Sequence, residues 1–141
     1  MPSELSVRAI QQGPMEFMIS DGDHEVTIDY PLPGGDGSLA GMTPLRLLLA
    51  SLAGCSGSSV AALLRRDGQP VERVEVEASG RRRDEHPTVI TDIDLSFTVY
   101  GAVDPSRVEH ALRISEAQIC PVWAMLKVGT PVSSEFAVVP G

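Results

Sequence analysis

The chain has 141 residues, a formal charge of −8 at pH 7, 43% hydrophobic residues and 4% aromatic ones. That length suits one domain, residues 1–141, with an aliphatic core that needs neither a metal nor many disulfides. The acidic balance argues against a nucleic-acid binder. The one basic run, Arg81-Arg82-Arg83, is followed at once by Asp84 and Glu85 and has no interleaved aromatic residue, so it reads as a solvated strand end.

Residues 4–10 read as a first strand, with Leu5, Val7 and Ala9 on one face, and Gln11-Gln12-Gly13-Pro14 as a turn. The opening decapeptide has no basic stretch followed by an apolar one, so no signal peptide is expected and the expected compartment is the cytosol. Residues 15–20 form a second short strand, and Asp21-Gly22-Asp23 signals a hairpin. Residues 24–30 then alternate, with Val26, Ile28 and Tyr30 on one side and Glu25, Thr27 and Asp29 on the other. These three strands are expected to make an antiparallel meander.

Residues 31–41 are rich in Pro and Gly and read as a loop. Thr43 offers a helix N-cap and Pro44 fits the first helical position. The helix is predicted to run to about Arg66, with Asp67-Gly68 as its stop. At the standard rise per residue it is roughly 35 Å long. Residues 45–64 are apolar over about the length that spans a bilayer. Arg46, the serines and glycines inside the stretch, and the closing Arg65-Arg66 point instead to a buried helix outside the membrane. Most of its surface is expected to be buried. One small sheet covers only one side, so a second sheet or a second chain must cover the other.

Residues 71–83 alternate Val74, Val76 and Ala78 with Glu75, Glu77 and Ser79. Residues 84–87 are a loop, and residues 89–100 alternate again, with Ile93, Leu95, Phe97 and Val99 inward. The two form a long hairpin. Asp104-Pro105 repeats the cap-and-proline start, and the helix that follows places Val108, Ala111, Leu112, Ser115 and Ile119 on one face. Pro121 ends that helix or opens a new turn. Residues 122–127 read as a short helix closed by Gly129, and residues 132–139 as a last strand. Strands and helices in this order make an α+β fold rather than a doubly wound one.

Chemistry is scarce outside the two cysteines. His24, His86 and His110 have no metal-ligand spacing to one another or to a cysteine, so neither a metal nor another cofactor is expected. No phosphate loop and no nucleophilic serine elbow is present. Cys55 sits mid-helix between Gly54 and Gly57, a costly composition for a helix interior. That cost suggests close approach by another backbone or access for a substrate. Cys120 precedes Pro121, and a helical turn starting there would favour its thiolate. Each is also readable as a small buried core residue, and the intervening 64 residues do not say whether the sulfurs meet.

The run Thr43-Pro44-Leu45-Arg46-Leu47-Leu48-Leu49-Ala50-Ser51-Leu52-Ala53-Gly54-Cys55, with Cys120-Pro121-Val122 further on, resembles the OsmC/Ohr family of osmotically inducible and organic hydroperoxide resistance proteins. The element order fits that resemblance over nearly the whole chain. It implies an intertwined homodimer in which antiparallel sheets pack around long central helices, with active sites at the interface. It further implies that Cys55 attacks a peroxide and Cys120 resolves the product into a disulfide. A dithiol or lipoylated protein would then reduce that disulfide. No membrane or nucleic-acid partner is implied.

The hydroperoxide-resistance branch carries a Glu ten residues before its first cysteine, where this chain has Leu45, and an Arg near its second strand, where this chain has Met15-Glu16-Phe17-Met18. The sequence thus looks more like the broader OsmC-like branch. Arg8 and one of Arg81 to Arg83 are candidates for activating the thiolate, and so is Arg46. It lies nine residues before Cys55, about 180° away around the helix, so it would have to serve the cysteine of a partner chain. The leading expectation is a thiol peroxidase for organic hydroperoxides. The alternatives are a non-enzymatic dimer that binds a small apolar ligand at its interface with inert cysteines, and a thiol reductase or sensor for another electrophile.

Overall fold

Alternating apolar residues and proline-started helices give six strands and three α-helices in the computed structural model, which describes residues 3–141. The chain divides into two compact units, one ending at Leu48 and one spanning Leu49–Gly141.

The first unit holds the meander β1 (Arg8–Gln11), β2 (Phe17–Ser20) and β3 (Glu25–Ile28), all antiparallel. β1 is shorter than its alternation predicts. Arg8 pairs with Ser20, the last residue of β2, so residues 4–7 have no strand left to pair with. Leu5 and Val7 are accordingly exposed. The loop that follows returns beside β3, where Ala40 N–H donates to an Asp29 carboxylate oxygen at 3.0 Å and Asp29 N–H to the Met42 carbonyl at 3.2 Å. Gly41 is required there, because a Cβ would fall 2.0 Å from the Thr27 carbonyl oxygen.

Helix α1 (Pro44–Arg66) starts at the proline and ends at the arginines, as its sequence signals predict. Gly68, with φ +71°, turns the chain out of it. Two long strands follow, β4 (Val71–Arg82) and β5 (Ile90–Gly101), paired antiparallel with Val74 opposite Val99, Val76 opposite Phe97 and Ala78 opposite Leu95. Ile93, Leu95, Phe97 and Val99 are buried, as alternation requires of a sheet covered on one face.

Helix α2 (Pro105–Ile114), a π-helical turn (Ser115–Ile119) and helix α3 (Pro121–Leu126) lead to β6 (Val132–Val139). The α+β class holds, but the expectation of wholly antiparallel sheets does not. β6 runs parallel to β5, so the second sheet, β4-β5-β6, is mixed. The helical crossover between β5 and β6 is what makes this possible, since it returns the chain to the end of the sheet where β5 began.

One core cluster gathers Leu52, Val60 and Leu64 of α1 with the inward residues of β5, with Val108, Ala111 and Leu112 of α2, and with Cys120 and Trp123. The expectation that most of α1 is buried is not met within one chain. Only Leu52, Ser56, Ser59, Val60 and Leu64 are buried, because one sheet and one short helix cover one stripe of a cylinder. By length and composition α1 could also cross a bilayer, a test that core helices pass equally.

Candidate functional site

Cys55 is held by an uninterrupted stretch of α1, and the buried hydroxyls beside it are satisfied by the helix itself. Ser56 Oγ donates to the Leu52 carbonyl at 2.7 Å and Ser59 Oγ to the Ser56 carbonyl at 3.0 Å. Such back-bonding lets serine enter a helix interior without an unpaired polar atom. The glycines flanking Cys55 have different reasons. A Cβ on Gly57 would come within 3.0 Å of Val76 Cγ2, so that glycine permits close approach to β4, whereas Gly54 faces open space. Ala53, Gly54, Gly57, Ser58 and Ala61 line, with Val74 and Val76, an open cleft of about 430 Å³.

Cys120 is delivered by the backbone irregularity that precedes it. The residues after Ile114 widen into the π-helical turn, closed by Cys120 N–H donating to the Ser115 carbonyl five residues back at 2.9 Å. The widened turn rotates its last residue off the α2 stripe. Val108, Ala111, Leu112 and Ser115 are buried as expected of one face, but Ile119 is 48% exposed, which corrects its placement with them. Pro121 opens a new helix rather than only ending the old one, and Cys120 is its N-cap. Trp123 N–H donates to Cys120 Sγ at 3.4 Å.

These two routes bring the thiols together. Both cysteines are free, and Cys55 lies near enough to Cys120 to perturb its titration. Their surroundings differ. Cys120 is 1% exposed, whereas Cys55 is only partly buried. Burial pushes the Cys120 thiol up to about 11, and the neighbouring Cys55 side chain adds to the shift. The Trp123 N–H at the helix start acts in the opposite direction, as the cap argument anticipates, but it is the weaker effect. The proton therefore stays on Cys120 at neutral pH.

The candidate cations differ in their partners. Arg46 and Arg8 are exposed. Arg81 is committed to Asp92 and, at 3.0 Å, to Asp94. Arg83 Nε donates to the Glu85 and Pro87 carbonyls. Sequence reasoning also missed a contact: Ser59 Oγ and Ser115 Oγ meet at 2.5 Å in the buried interior. The available signal was Ser115 itself, a hydroxyl on an otherwise apolar helix face.

Comparison with known proteins bears on the family and the fold. The OsmC-like protein family model matches residues 34–135. The chain is similar to Protein YhfA of Escherichia coli K12, 30% identical over 121 residues that cover 85% of this chain and 87% of that protein. Its fold is similar to that of a hypothetical protein from Aquifex aeolicus VF5, with a TM-score of 0.89 at 25% identity over 99% of both chains. It is also similar, with a TM-score of 0.71 at 15% identity over 96% of this chain and 98% of the other, to the organic hydroperoxide resistance protein OsmC of Legionella pneumophila. With the family model matched across most of its length and an α+β fold shared from end to end with its structural relatives, the chain belongs to the OsmC-like family.

Proposed function

We propose that this protein is a cytoplasmic thiol peroxidase that reduces organic hydroperoxides through a Cys55–Cys120 disulfide. The observation that carries the reading is the proximity of two thiols of unequal character, one partly accessible and one buried and held protonated. A Cys55 thiolate attacks one oxygen of the hydroperoxide. The O–O bond breaks, the other oxygen leaves as an alkoxide that takes a proton from water to become the alcohol, and Cys55 becomes a sulfenic acid. The Cys120 sulfur then attacks the Cys55 sulfur, the S–O bond breaks and water leaves. A dithiol or a lipoylated protein returns both sulfurs to thiols by exchange. The Legionella relative, an organic hydroperoxide resistance protein, supports the substrate class.

The working unit in this reading is a homodimer. A second copy covers the part of α1 that one chain leaves open and brings its own Arg46 near Cys55, in place of the Glu and Arg that Leu45 and the 15–18 segment lack. The decisive experiment is turnover of an alkyl hydroperoxide with a dithiol reductant. Wild-type protein should consume peroxide and pass through an intrachain disulfide, and Cys55→Ser should consume none. Turnover that survives in Cys55→Ser overturns the assignment. The cleft beside Gly54 and Gly57 favours a second reading, a binder of a small apolar ligand with inert cysteines. That reading requires a co-purifying ligand in native mass spectra and both thiols unreactive to peroxide.

A further inference from the structure

The two cysteine segments touch at a second place, and the contact there is polar, buried and outside the reacting atoms. Ser59 lies one helical turn beyond Cys55, so both project from neighbouring positions on one face of α1. Ser115 opens the π-helical turn, and its carbonyl accepts the N–H of Cys120 at 2.9 Å. The two serine hydroxyls meet at 2.5 Å, with Ser115 fully buried and Ser59 8% exposed. The hydrogen-bond direction follows from donor counting. Ser59 spends its hydrogen on the Ser56 carbonyl, so Ser115 donates to Ser59. A chain of bonds thus runs from the α1 backbone through Ser59 and Ser115 to the backbone N–H of Cys120, linking the segments that carry the two neighbouring thiols.

We propose that Ser59 and Ser115 are positioning residues that hold the Cys120 segment against the Cys55 helix, and so set how readily the two sulfurs close into a disulfide. This rests on the dithiol reading of the site but not on peroxide as the oxidant. The physical argument is effective concentration. An aliphatic contact at this place would hold the segments with no preferred direction, whereas a short hydroxyl pair fixes one α1 turn to the first residue of the widened turn. A residue five positions before Cys120 then governs the reach of its sulfur, because the π-type bond transmits its position to the Cys120 backbone.

The test is a redox titration of the whole protein against defined ratios of reduced and oxidised glutathione, with the thiol and disulfide forms separated by mass after acid quenching. In this exchange the two protein thiols give their hydrogens and electrons to one oxidised glutathione, yielding the protein disulfide and two reduced glutathiones. Ser115→Ala should lower the equilibrium constant for the protein disulfide by about tenfold, equivalent to a potential about 30 mV less negative. Ser59→Ala should do the same, and the double variant should be no worse than either single one. The double variant also guards against a merely structural effect. Replacing both partners of a buried hydrogen bond by apolar groups recovers much of the stability that a single truncation loses. Its melting temperature should therefore rise above that of the single variants while its disulfide constant stays low. A double variant with the wild-type constant overturns the proposal, as do single-variant constants that recover in step with stability. Wild-type protein that forms the disulfide with glutathione but consumes no hydroperoxide would remove the peroxidase reading and leave this one standing.

Discussion

Cys55 and Cys120 are one side-chain type placed in two kinds of backbone. Cys55 sits in an unbroken helix between small residues, beside an open cleft, and is partly accessible. Cys120 sits where a π-helical turn ends and a proline-started helix begins, sealed in the core beside Trp123. The difference teaches that a helix start does not by itself make a thiolate. The cap contact at Cys120 is present, yet burial and the neighbouring sulfur outweigh it and hold the proton in place. A second pair of sites makes the same point. Asp104-Pro105 and Cys120-Pro121 share a cap-and-proline arrangement, and Asp104 accepts from Ser106 N–H at 2.9 Å much as Cys120 accepts from Trp123 N–H. Burial is what turns Cys120 into a poor acid despite its cap contact.

The largest consequence of this asymmetry concerns which thiol an oxidant meets first. Cys120→Ser should still lose its Cys55 thiol to one equivalent of hydroperoxide but stop at a species about 16 Da heavier, whereas wild-type protein should lose two hydrogens. Intact mass spectra after a single addition would read this directly, and oxidation of Cys120 first would reverse the assignment of roles. Next in size is the alkylation rate. A thiol held at about 11 is almost wholly protonated at pH 8, so iodoacetamide should label Cys120 about a hundredfold more slowly than an exposed thiol of ordinary acidity. Peptide mapping of a labelling time course would show equal rates if the asymmetry does not exist.

A smaller effect is expected on stability against pH. Folding raises the Cys120 pKa from 9.0 to about 11, so the folded state keeps a proton that the unfolded state gives up. The contribution is fully present below pH 9 and is lost as the pH rises towards 11, because the unfolded chain binds fewer protons in that window. Its size is about 2–3 kcal/mol. Urea midpoints should fall across that range in wild-type protein and fall less in Cys120→Ala. Identical slopes would mean that burial does not hold the proton. The smallest effect is at the exposed counterpart: Asp104→Ala should cost about 1 kcal/mol through loss of the α2 cap and leave the disulfide equilibrium with glutathione untouched.

Much of this molecule is legible in its sequence. The helix start at Thr43-Pro44, its end at Arg65-Arg66 and the inward set Ile93, Leu95, Phe97 and Val99 came from local rules that act within a few residues, and the fold kept all three. The resemblance carried by the two cysteine segments pointed to the family that the comparisons establish. Legibility failed wherever the cause lay outside the local window. The start of β1 depends on where β2 runs out of residues at Ser20. The direction of β6 depends on the length and helicity of the crossover, which alternation in β6 cannot report. Ile119 was misplaced because α-helical spacing was carried through five residues that adopt a wider turn.

For the site, the sequence determined the chemistry available and its local setting. It offered two thiols and no other nucleophile with a partner, one cysteine in a small-residue helix and one before a proline. It also determined that Cys120 would cap whatever helix Pro121 began, because that geometry is set by adjacent residues. Whether the thiols come near one another, which is sealed from water, and how firmly Cys120 keeps its proton were decided by packing between α1, the widened turn and α3. Those properties depend on burial and on contact across 64 intervening residues, and pKa and accessibility respond to every group in the surrounding shell rather than to neighbours in the chain.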